Sequence, residues 1–190
     1  MPETLDDFEA LAGRLLIATQ SDADQLFYKT LVLVTEHSAE AGTVGYVLNK
    51  PFLSLSPKEI FKDRDISFLG ADFQLMWGGP VDLTHGAVLH TNDYQTAGTQ
   101  ILKNNLALTE TQQILDDITT QTGPKHFLIC VGKTTWAPGQ LIEEIMDSMW
   151  VPIPYSFDLT FNTPVNKKWQ EALATLNIDS NLLAHKAGKA

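Results

Sequence analysis

A single cysteine, Cys130, stands in the 190 residues, so an internal disulfide and a four-cysteine zinc site are both ruled out. It sits inside the apolar run 127–131, where desolvation raises a thiol pKa, which makes it a small core residue before it is a nucleophile. Arginine is nearly as scarce. Only Arg14 and Arg64 are found among thirteen Lys plus Arg, against 23 Asp plus Glu, for a formal charge of -10. A nucleic-acid interface gathers basic side chains to replace the counterions on roughly 6 to 10 phosphates, so a nucleic-acid partner is disfavoured. No apolar run reaches the ~20 residues of a membrane span, and the acidic opening Glu3, Asp6, Asp7 lies where a secretory signal would be basic. The expectation is a soluble cytoplasmic protein with no membrane partner. GxxxxGK[ST], GxGxxG after a strand, GxSxG and HExxH are all missing, which removes the common nucleotide, hydrolase and zinc-protease readings. No cofactor and no metal are expected.

What is present is an ordinary globular composition, 44% apolar, 19% charged and 9% aromatic, without internal repeats. One domain over 1–190 is expected, with a radius of gyration near ~16 Å and flexible ends at 1–10 and 184–190. The run 15–18 reads as a central strand buried on both faces. Residues 30–35 and 44–48 read as an antiparallel hairpin across a polar loop at 36–43. Ser56, Pro57 and Glu59 carry a helix-start signature. Strands are expected at 75–77, 86–91 and 125–132. A helix capped by Thr109 should bury Ile114, Leu115 and Ile118. Another is expected over 139–149, and a last one capped by Thr163 with Pro164 in its first turn. Lacking a regular βαβ rhythm, the chain reads as α+β with a largely antiparallel or mixed sheet.

Glu36 and His37 end an apolar strand where it enters a loop, a place where function often sits. Neighbours on a strand face opposite ways, so they form an acid-base pair only if the backbone turns, and a hydrogen bond from His37 to the hairpin is the alternative. Asn49, before Lys50 and Pro51, serves turn chemistry or a pocket, and would lie near Glu36 if the hairpin pairs as supposed. Gly78 and Gly79 offer either an anion-binding nest or a tight turn, and Pro80 removes one donor from the nest. His85 and His90 are spaced too awkwardly to share a metal. Glu143 and Asp147, at i and i+4, read as a solvated helix face. Trp136, leading a rigid Ala-Pro-Gly entry to Gln140, either packs over the sheet or floors a pocket into which Gln140 points.

In sequence order, GRLLIA (13–18), Phe27 with Thr30, Glu36-His37, GYVLNKP (45–51), GGPV (78–81), Leu89-His90 and WAPGQL (136–141) with Glu144, Ile145 and Trp150 resemble the AlgH/YqgE family of bacterial proteins. Phe161, Pro164 and Trp169 continue the resemblance to the end of the chain. It implies a single α+β domain whose bifurcated, strongly bent sheet closes into a pseudo-barrel flanked by helices. It implies little about activity. The family carries a transcriptional-regulator label from a link to alginate production, with no DNA-binding motif attached. Gln20, Lys133 and Ile142 depart from the family pattern, Ile142 standing where an acid often follows Gln-Leu.

Three functions follow. The favoured one is a non-catalytic module that binds an unidentified small molecule or protein through Glu36, His37, Asn49, Gly78, Gly79, Trp136 and Gln140. The second is an enzyme using Glu36 and His37 as an acid-base pair. The third is a DNA-binding regulator, which would have to collect Lys125, Lys133, Lys167, Lys168, Lys186 and Lys189 on one face against an acidic whole.

Overall fold

The computed structural model describes residues 11–19, 26–62, 65–70 and 73–177, so the ends expected to be flexible lie outside the described residues. The strands are β1 (Leu15–Ala18), β2 (Leu31–Ser38), β3 (Gly42–Val47), β4 (Met76–Trp77), β5 (Val81–Thr91), β6 (Gln100–Ile101), β7 (Leu106–Thr109), β8 (Phe127–Trp136) and β9 (Trp150–Ile153). The helices are α1 (Pro57–Ile60), α2 (Gln112–Thr119), α3 (Gln140–Met146) and α4 (Lys168–Ala174), with a 3₁₀ turn at Ser67–Leu69 and a π turn at Asp158–Asn162.

One sheet runs in the order β6-β7-β5-β8-β3-β2-β1-β9, with β4 attached to β8 off that path. It forks at β8. The first half of β8 pairs with β5 and, in parallel, with β4 (Met76 opposite Cys130), whereas its last residues pair with β3 (Thr43 opposite Trp136). Gly132 marks the fork at φ 71°, and a Cβ there would fall 2.5 Å from the Gly79 carbonyl, so only glycine lets the two branches approach this closely. The result is the α+β domain expected, a curled antiparallel half-barrel with a few short helices. Among the described residues, no helix is long and apolar enough to cross a membrane.

β1 is buried throughout because both faces are covered: Leu15 and Ile17 join one apolar cluster and Leu16 and Ala18 another. It is not central, however, since β9 adds a strand beyond it and leaves β1 next to the edge. The hairpin is tighter than expected. β2 continues through a bulge between Val34 and Glu36 as far as Ser38, so Glu36 and His37 are strand residues and the loop shrinks to 39–41. Ser56 forms the anticipated capping box with Glu59. Thr109 does not cap α2. It closes β7 with its hydroxyl bonded to His90 and Thr99, and Thr111 takes the cap position.

The C-terminal helix also begins later than its signature suggested. Thr163 ends the π turn and donates to Glu171, while Pro164 opens a turn whose carbonyl takes the Lys167 and Lys168 amides before α4 starts. Lys168, one of the lysines that a DNA-binding face would have to collect, turns inward. Its side chain is 1% exposed, and Nζ donates to the Leu159 and Thr160 carbonyls that the π turn leaves inside.

Candidate functional site

The register of β2 with β3 separates the rim residues. Glu36 lies opposite Val44, whereas Asn49 accepts from the Leu31 amide (2.8 Å) and donates to the Lys29 carbonyl (2.8 Å) at the far end of the hairpin. Five residues of strand at ~3.3 Å each set them about 16 Å apart, so the expected proximity of Asn49 to Glu36 does not occur. Glu36 is exposed and accepts from the Gln100 amide at 2.8 Å, and His37 shares a 2.6 Å hydrogen bond with Thr43, its cross-strand partner. Carboxylate and imidazole thus serve different strands. Gly78 spends its N–H on the Val131 carbonyl and its carbonyl on the Val47 amide. A Cβ on Gly79 would lie 2.2 Å from the Lys133 carbonyl carbon. The two glycines are therefore packing positions where β4 leaves β8, not an open nest.

Trp136 and Gln140 do come together, around Glu144 of the same short helix. Glu144 Oε2 accepts the indole N–H of Trp136 at 2.8 Å and that of Trp150 at 2.7 Å, and Oε1 accepts the Gln140 side-chain amide at 2.8 Å. Gln140 Oε1 in turn accepts the Ala137 backbone N–H at 2.9 Å, closing the Ala-Pro-Gly entry loop onto the first turn of α3. Both indoles are nearly buried, at 5% and 4% exposure, so each N–H needs a partner. The carboxylate supplies both.

Beside this network lies a hollow of about 190 Å³. Trp136, Trp150, Phe27 and Met149 give its walls an aromatic and thioether character, and Gln140 and Glu144 supply its polar lining with Thr134 and Thr135. Phe27 meets Trp150 edge to face at 5.5 Å, and Trp150 meets Trp136 in the same way at 5.7 Å. Among the described lining residues, Glu144 brings the one charged side chain. A larger, more open depression of about 460 Å³ runs past Phe68, Phe73, His126 and Phe161, and of the candidate residues only Lys125, from the DNA-binding reading, is among its described lining.

The other titratable groups have structural positions. His85 is exposed and 2.6 Å from Asp82. His90 is fully buried: Nδ1–H donates to the Thr91 carbonyl at 2.8 Å, and Nε2 shares a 2.9 Å hydrogen bond with the Thr109 hydroxyl, accepting it when the ring is neutral. Burial, only partly opposed by the Thr91 contact and Asp93, holds its pKa below the ordinary value. Burial pushes the Cys130 thiol up to about 12 against the pull of Lys168. The same burial holds the Lys168 amine down at about 8. Ile142, where the family pattern often has an acid, packs against the apolar cluster that contains Leu141.

The signal for Glu144 was its i,i+4 spacing from Gln140. Nothing local pointed to Trp150 as its second donor. That residue arrives on β9, with three strands between it and β8 in the sheet order.

The model of the AlgH-like family matches residues 15–181. A UPF0301 protein of Rhodospirillum rubrum is 34% identical over 193 residues, covering 100% of both chains. One from Pseudoalteromonas translucida is 31% identical over 186 residues, covering 96% of this chain and 100% of the relative. The solution structure of the AlgH protein from Pseudomonas aeruginosa matches with a TM-score of 0.74 at 30% identity, covering 100% of each chain. A crystal structure of a Corynebacterium diphtheriae protein shares the fold at a TM-score of 0.72 and 20% identity, over 88% of this chain and 87% of that one. The chain belongs to the AlgH-like family.

Proposed function

We propose that this protein is a non-catalytic binding module and that its ligand occupies the hollow beside Glu144. The observation that carries this reading is the way the Glu144 carboxylate is used. Two indoles fill the acceptor positions of Oε2 and Gln140 takes one on Oε1, which leaves one acceptor position on a residue that lines the cavity. Rigid aromatic walls with a few fixed polar groups are the usual make-up of a small-molecule site. At about 190 Å³ the space suits a compact molecule or the end group of a larger one.

The acid-base reading has less support, because Glu36 is bonded to Gln100 and His37 to Thr43. Direct DNA contact loses Lys168 to the interior, and Lys133 lies 3.9 Å from Asp82. The test is a fragment library of mixed charge screened by thermal shift, followed by the indole N–H resonances of Trp77, Trp136, Trp150 and Trp169. Fragments that raise the melting temperature should move Trp136 and Trp150 first. A library that moves neither of them overturns the reading.

A further inference from the structure

We infer that the hollow accepts a compact organic cation bearing an N–H donor, of the amidinium, guanidinium or primary ammonium class. The inference rests on the assignment of the hollow as the ligand site and adds the charge of its occupant. Glu144 contributes a negative charge to the lining, and among the described lining residues no lysine or arginine offsets it. Its three protein partners, Trp136, Trp150 and Gln140, are neutral donors, so the carboxylate is hydrogen-bonded but not ion-paired. The remaining acceptor position on Oε1 calls for an N–H or O–H donor, and a charged donor gains most where water is partly excluded. Trp136, Trp150 and Phe27 line the same space, and a cation set over the face of an aromatic ring is attracted by its quadrupole. The protein as a whole, at a formal charge of -10, draws cations toward it and repels anions.

Three probes of nearly equal shape and different charge isolate this claim: benzamidine (cationic), benzamide (neutral) and benzoate (anionic), each titrated into the full chain while the Trp136 and Trp150 indole N–H resonances are followed. Benzamidine should bind at least tenfold more tightly than either isostere, and Glu144→Gln should cost benzamidine at least tenfold more affinity than it costs benzamide. If that variant fails to fold, the three-probe comparison on the unaltered protein decides alone. Benzamide or benzoate binding within tenfold of benzamidine overturns the cation assignment and leaves the hollow as a binding site. So does a result in which none of the three binds but other fragments move Trp136 and Trp150. If no compound of any charge moves those two resonances, the site itself is wrong.

Discussion

Trp136 and Trp150 donate their indole N–H groups to the same oxygen, Glu144 Oε2, and their rings meet edge to face at 5.7 Å. Trp136 ends β8 and Trp150 opens β9, strands separated in the sheet by β3, β2 and β1. The curl of the sheet brings the two ends to one carboxylate, and α3 holds that carboxylate between them. Glu144 is thus both a fastening for the half-barrel and the polar corner of the hollow.

Glu144→Ala should therefore be costly away from any ligand. It leaves two nearly buried indole N–H groups unpartnered, at ~1–3 kcal/mol each, so a loss of about 2–6 kcal/mol is expected in urea denaturation. Trp150→Phe removes a donor without orphaning the other indole, and should give up less through hydrogen bonding. A Glu144→Ala variant as stable as the parent would mean that the network holds nothing together.

His90 makes acid stability a local matter. Its pKa in the folded state lies below the ordinary value, so on the acid side the unfolded chain binds more protons and stability falls as the pH drops below about 6.5. His90→Gln lacks this component. Comparing the two proteins by denaturation at pH 7.5 and pH 5 should show the parent losing more between them, and equal losses would contradict the neutral, buried ring.

Lys168 and Cys130 pull in opposite directions on the alkaline side. The Lys168 amine, held down at about 8, has already lost its proton in the folded chain while the unfolded chain keeps it up to about 10.5, so this residue adds stability as the pH rises between those values. The Cys130 thiol, pushed up to about 12, keeps a proton that the unfolded chain loses near 9, and so subtracts stability in the same range. Cys130→Ala should consequently gain relative to the parent from pH 8 to 10, and Lys168→Met should fall further behind it. The slope with pH, not the starting stability, is the quantity to read.

Gly132 and Gly139 both have positive φ, at 71° and 80°, but only Gly132 is crowded. Gly139→Ala should cost about 1–2 kcal/mol for its left-handed backbone alone, because open space surrounds it. Gly132→Ala adds a clash with the Gly79 carbonyl, so its melting temperature should drop well below that of Gly139→Ala. Equal drops would remove the argument that the fork depends on close approach.

Much of the fold could be read from short apolar runs and cap residues: 15–18, the β2–β3 hairpin and the Ser56–Glu59 capping box all have local signatures. β6 and β9 did not. β6 is two exposed residues, Gln100 and Ile101, and β9 carries Pro152 directly after a helix, where a proline argues against a strand. The site was half visible. Trp136 and Gln140 stood out beside a rigid loop, but a carboxylate on a helix of acidic residues looks solvated until the tertiary fold delivers two indoles to it. The Glu36–Asn49 rim failed for a different reason. Pairing register, which decides which ends of a hairpin coincide, sets Val32 opposite Val47 and Glu36 opposite Val44, so Asn49 falls beyond the far end of the hairpin and not against 36.

The most direct test is a crystal structure of the protein soaked with benzamidine. The amidinium should lie in the hollow with one nitrogen at hydrogen-bond distance, ~2.7–3.0 Å, from Glu144 Oε1, and the ring against Trp136, Trp150 and Phe27. Benzamidine bound at another surface, with the hollow beside Glu144 unfilled, would contradict it.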